Sequence, residues 1–177
     1  MDTSFWAFIG ISLIVIVTPG PDTAVTTRNV FVGGVRGGVF TALGVSTGLL
    51  IWSLAASAAI TALLVASEPL FLALKIAGGA YLVYLGIHAI IGALRAGNWR
   101  AAVENGGPRR RLGAFAAYRQ GLLSDLGNPK IAVFFASLLP QFVPQATANT
   151  GGADFGDFAV LGLTFAAITL VWLVLYT

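Results

Sequence analysis

The chain has 177 residues, of which 57% are hydrophobic and 10% charged; a soluble domain carries about 25% charged residues. That balance speaks against a soluble globular protein and excludes a disordered chain, collagen and a coiled coil. There is no cysteine and one histidine, which excludes a disulfide framework, a cysteine nucleophile and a thiolate or multi-histidine metal site.

Uncharged stretches cover Thr3–Pro21 (19 residues), Gly37–Ser67 (31), Ile76–Leu94 (19), Ile131–Ala153 (23) and Phe158–Thr177 (20). A helix needs about 20 apolar residues to cross about 30 Å of hydrocarbon. The pattern therefore predicts an all-α polytopic membrane protein with five transmembrane helices, about 4–25, 38–65, 69–94, 112–142 and 156–177. A cleaved signal peptide does not fit the first segment. The N-terminus carries Asp2 and no basic residue, and no A-x-A site follows the apolar run.

The net charge of +3 is read loop by loop in such a chain, and no nucleic-acid partner is expected. The connection 22–36 carries Arg28 and Arg36; the connection 95–119 carries Arg95, Arg100, Arg109, Arg110, Arg111 and Arg119. Lys75 alone lies on the other side, and Lys130 falls inside the fourth helix, so the split is eight against one. The positive-inside rule then puts the N-terminus outside and both basic connections in the cytoplasm. The chain ends on an apolar run, Leu175-Tyr176-Thr177, without a charged flank, which predicts a sixth helix beyond it.

Two helices carry breaks. The first contains Thr18-Pro19-Gly20-Pro21-Asp22, and the fourth contains Asp125-Leu126-Gly127-Asn128-Pro129-Lys130. Proline removes a backbone donor and clashes with the carbonyl four residues earlier, so neither stretch continues a regular helix. Pro19 follows Asp2 by 17 residues and Pro129 follows Arg111 by 18. The two helices enter from opposite sides, which implies two inverted three-helix repeats: residues 1–94, a cytoplasmic linker 95–111, and 112–177 with its third helix missing. All of 1–177 is one transmembrane domain.

Unwound backbone in a membrane is tolerated only where protein or a water-filled cavity satisfies it. Interrupted helices in corresponding positions of two halves point to a transporter's binding site. Half-helices starting at Pro21 and Pro129 would offer N–H groups to a carboxylate. Half-helices ending near Val17 and Leu126 would offer carbonyls to an ammonium or another cation. One site with both features suits an amino-acid zwitterion. The candidate binding and translocation residues are thus Thr18, Pro19, Gly20, Pro21, Asp22, Asp125, Asn128, Pro129 and Lys130. Asp22, Asp125 and Lys130 are costly within a span and so are candidates for function; the alternative is that Asp22 and Asp125 only cap helix starts or pair with Arg28 and Lys130.

The motif Thr18-Pro19-Gly20-Pro21 resembles the signature of the LysE/RhtB family of amino-acid exporters. So does the run from Gln120 to Lys130, followed by Phe134-Phe135 and Pro140-Gln141-Phe142. The segment from Lys75 to Gly86 matches that family's third helix. The resemblance covers essentially the whole chain, in order. It implies a bacterial inner-membrane protein of about six helices that exports amino acids or related solutes against protons. Many members have asparagine where this chain has Asp125, so the chain places an extra acid beside the second break.

Lys75 and His88, both on the third helix, are candidates for the transport path or for proton coupling. Their bland roles are a snorkelling lysine and a hydrogen-bonded histidine. The pairs Gly33/Gly37, Gly34/Gly38 and Gly44/Gly48 let another helix approach closely, within the chain or across a homodimer face. A passive channel or structural membrane subunit is the second functional reading. An intramembrane enzyme is the third, weakened because His88 has no serine within one helical turn. No cofactor or metal is expected, and no G-x-x-x-x-G-K loop for ATP is present. The partners expected are a small amino acid and the lipid bilayer.

Overall fold

The computed structural model describes residues 3–66, 68–95, 112–142 and 155–177. These residues are helical, with no strand among them. Helix α1 covers Thr3–Val17, α2 Pro21–Ala66, α3 Glu68–Arg95, α4 Ala114–Leu126, α5 Pro129–Val133 and α6 Phe155–Leu175. Among the described residues, two helices are long and apolar enough to span a membrane, Pro21–Ala58 and Phe155–Leu175. The pair Ala114–Leu126 and Pro129–Phe142, bent by 48°, makes a third if it is one span, and Ser4–Val17 is a shorter apolar helix.

The breaks fall where the prolines require them. Helix α1 ends at Val17 and α2 starts at Pro21; α4 ends at Leu126 and α5 starts at Pro129. Proline suits the first turn because its missing N–H would be unpaired there in any case.

One expectation is corrected. Residues 22–36 are not a loop between spans: α2 runs through them as helix and turns a corner at Gly34. Gly34 has φ 67° and ψ −167°, a conformation open to glycine and hostile to residues with a Cβ. The polar residues that gave this stretch its loop-like composition are instead buried. Asp22, Thr26 and Asn29, spaced as one helix face, are all buried.

A second feature was not foreseen. After α5 the helix widens into a π-helical turn, Phe134–Leu138, and closes as a 3-10 turn, Leu139–Phe142. Pro140 lies in that last turn and cannot donate to the carbonyl of residue 136, so the regular ladder is lost around it.

Small residues bring the helices together. A Cβ on Gly44 would run into the Tyr118 carbonyl, and one on Gly121 into the Thr41 carbonyl, so α2 and α4 touch backbone to backbone. Gly162 on α6 similarly accommodates Ser53 of α2. The core between them is aromatic: Phe8, Phe134, Phe135, Phe158 and Phe165 are fully buried, and Phe134 stacks on Phe165 with ring centroids 4.4 Å apart. The start of α4 lies beside the α2 corner, since a Cβ on Gly33 would sit 3.3 Å from Leu112 Cβ. The exposed Arg28, Arg36 and Arg119 therefore belong to one end of the packed pair.

Candidate substrate site at the paired helix breaks

The two breaks meet, and each satisfies the other. At the end of α1 the last carbonyls have no helical partner. Lys130, from the second break, donates its Nζ to the Val15 carbonyl at 3.1 Å and to the Thr18 carbonyl at 3.0 Å. A cation at this end also matches the negative pole of α1. In the other direction Asp22, in the first turn of α2, accepts Ser124 Oγ at 2.7 Å and Asn128 Nδ2 at 2.6 Å. Asn128 also caps α5, its Oδ1 accepting the Lys130 N–H at 3.1 Å.

Two of the backbone sites that the sequence offered to a zwitterion, the start of α5 and the end of α1, are thus already occupied. An Asn128 oxygen takes the Lys130 N–H at the start of α5, and a lysine nitrogen takes the carbonyls at the end of α1. Gly20 makes this possible: a Cβ there would lie 3.2 Å from Lys130 Nζ and 3.5 Å from its Cε.

Asp125 is different. It is fully buried, and neither carboxyl oxygen has a hydrogen-bond partner among the described residues. Its backbone carbonyl accepts Trp52 Nε1 at 3.3 Å, which fixes the end of α4. Gly48 leaves the space for its side chain, because a Cβ at 48 would run into the carboxylate. A buried carboxylate without donors is expensive.

Asp22, Asp125 and Lys130 line one small cavity of about 20 Å³. One water needs about 10–15 Å³ of such space, so this state is closed around a water-sized volume. With all three groups ionised, two negative charges face one positive charge. The remaining wall is mostly apolar: Val15, Ile16, Ile131, Phe165 and Leu173, with Thr23, Thr169 and Trp172. Trp172 Nε1 is buried and has no acceptor among the described residues.

Of the residues singled out from sequence, Thr18, Gly20, Asp22, Asp125, Asn128 and Lys130 come together here. Pro19, Pro21 and Pro129 are exposed and shape the breaks without lining the cavity. His88 lies exposed on α3, its ring against Tyr84 at 4.1 Å and its Nδ1 3.0 Å from the Tyr84 carbonyl; it does not line the cavity. Lys75 belongs to α3, but its side chain lies outside the described residues, as does the linker 96–111. Sequence reasoning missed the α6 wall. Phe165, Thr169, Trp172 and Leu173 share one face at i, i+4, i+7 and i+8, a spacing visible in the sequence.

A second polar cluster went unnoticed. Asn29 donates to Thr41 Oγ1 at 2.9 Å and to Gln120 Oε1 at 3.0 Å, and Thr41 donates to the Gly37 carbonyl at 2.8 Å. It ties both arms of α2 to α4 beyond the breaks.

Apolar helices interrupted at facing positions, with ionisable groups buried between them, define a multi-pass helical membrane protein built for transport. The chain belongs to the LysE type translocator family, whose family model matches residues 13–177. These proteins are translocators, not enzymes. The chain is 29% identical over 170 residues to the leucine efflux protein of Salmonella typhimurium, covering 96% of this chain and 76% of that protein. An uncharacterized membrane protein of Pseudomonas aeruginosa is 31% identical over 171 residues, covering 97% of this chain and 76% of its own. The uncharacterized membrane protein YrhP of Bacillus subtilis is 26% identical over 171 residues, covering 96% and 79%. No solved structure matches the chain significantly.

Proposed function

We propose that this protein exports small, uncharged-side-chain amino acids of the leucine type across the bacterial plasma membrane, with Asp125 as the proton-coupling group. The observation that carries the reading is the buried, unpartnered carboxyl of Asp125 in a cavity shared with Lys130. A zwitterion brings a second ammonium into a cavity where Lys130 is the one cation among the lining residues beside two acids. The apolar wall of Val15, Ile16, Ile131, Phe165 and Leu173 suits an aliphatic side chain. The similarity to leucine efflux proteins supports the same substrate class.

The cavity is too small for leucine as it stands, so the cycle requires the breaks to separate. The arrangement we propose has five spans in this chain, an outside N-terminus, and two inverted repeats, 1–94 and 112–177, joined by a cytoplasmic linker 95–111. Twelve residues separate Asp22 from the Gly34 corner, about 18 Å of helix, which suits a site near the middle of a bilayer core about 30 Å thick. The test is expression in a bacterial host preloaded with amino acids, followed by analysis of what is extruded. Leucine or a similar aliphatic amino acid should leave faster than from cells without the protein, and collapse of the proton gradient should slow it. Flux indifferent to the proton gradient would make the protein a passive channel.

A further inference from the structure

The Val15 and Thr18 carbonyls project from the end of α1 into the break, and both accept the same ammonium group. That ammonium belongs to a side chain 112 and 115 residues away, brought in from the other break. A primary ammonium has three donors, and two are used here on backbone oxygens. Lys130 thus occupies a position that any primary amine of suitable size could take. Asp125, on the same cavity, lacks the cation that Lys130 would supply if it moved.

We infer that the Val15 and Thr18 carbonyls are the seat of the substrate's ammonium group, and that Lys130 is a tethered stand-in which fills the seat while the site is empty. The inference rests on the export reading and names the recognition element within it. An incoming amine displaces Lys130, whose ammonium then turns to the Asp125 carboxylate. No bond is made or broken; one ammonium replaces another, and the buried acid gains its partner at that moment. Closure and loading are coupled because the carbonyls are satisfied in both states, and only the loaded state satisfies Asp125. The ligand class is therefore a primary ammonium next to an aliphatic group. A carboxylate lacking the amine does not qualify.

Binding to purified protein in detergent tests this apart from transport. The probes are isopentylammonium, which is leucine without its carboxylate, and 4-methylpentanoate, which is leucine without its amine. In Lys130→Met the seat has no internal occupant. Isopentylammonium should bind it about tenfold more tightly than it binds the unaltered protein, the gain set by one freed charged hydrogen-bond site. 4-Methylpentanoate should gain nothing. Lys130→Leu gives a second route if Lys130→Met does not fold: it too leaves the seat without an ammonium, and the same gain for the amine alone is expected. Equal affinities of isopentylammonium for the variants and the unaltered protein would overturn the inference, as would an equal gain for the carboxylate. If the amine behaves as expected while no amino acid is exported, the export reading fails and the seat stands; the reverse result removes the seat and leaves export intact.

Discussion

Asn128 and Asp22 lie 106 residues apart in sequence and share a buried hydrogen bond of 2.6 Å. Through the other end of the same amide, Asn128 caps α5. One side chain thus ends the second break and holds the first against it. Asn128→Ala removes a cap, worth about 1 kcal/mol, and a hydrogen bond to a charged group, worth about 1.5–3 kcal/mol. Thermal unfolding in detergent should show a loss of about 2 kcal/mol or more. A change within about 0.5 kcal/mol, the range of ordinary surface substitutions, would mean that the breaks are held together by something else.

Asp125→Asn replaces a group that can change charge with one that cannot. The side chain keeps its size in the space left by Gly48. Folding and transport should therefore persist, with an altered pH dependence of flux or an altered substrate preference. Efflux from vesicles at several pH values and equal protein levels would show it. An unchanged pH profile and preference would confine Asp125 to a structural role.

The contact between α2 and α4 makes a prediction about glycine. Gly44→Ala drives a Cβ into the Tyr118 carbonyl and the Leu122 amide, both of them backbone atoms that cannot step aside. Overpacking of this kind costs about 1–3 kcal/mol. Gly10→Ala meets nothing within 4 Å and should leave stability unchanged or raise it by about 0.5–1 kcal/mol. Equal melting temperatures for the two variants would contradict the close approach.

Topology is open to a direct test. Eight basic residues lie in the stretches 22–36 and 95–119 against one elsewhere outside the breaks, and positive charge is retained in the cytoplasm. A reporter fused after Asn105 should be active only in its cytoplasmic form. Activity of a periplasmic reporter at that position would invert the proposed orientation.

Both breaks were legible because proline and glycine act locally: a missing N–H interrupts a helix whatever surrounds it. Their meeting was legible in part, since two costly interruptions need mutual satisfaction inside a membrane. What escaped was set by tertiary partners. Residues 22–36 read as a connection between spans, yet Asp22 and Asn29 are buried against Ser124, Asn128, Gln120 and Thr41. Their polarity serves partners more than 90 residues distant or around the Gly34 corner. Trp172 lines the cavity, and its sequence context does not foretell it, because a tryptophan's apolar body suits a cavity wall as well as a membrane interface. Lys130 was read as a partner for a carboxylate; its geometry gives it to two carbonyls.

The central claim is that the joined breaks are where an amino acid is held during export. Efflux of preloaded leucine from proteoliposomes tests it most directly, comparing the unaltered protein with Lys130→Ala and Gly10→Ala at equal protein levels and under the same proton gradient. Lys130 is the one cation among the residues lining the cavity beside Asp22 and Asp125, and removing one partner from a buried charge cluster costs about 3–5 kcal/mol, so its loss should slow efflux by more than about tenfold. Gly10→Ala should match the unaltered protein. Leucine efflux from Lys130→Ala at the unaltered rate, or no amino-acid efflux from the unaltered protein, would contradict the claim.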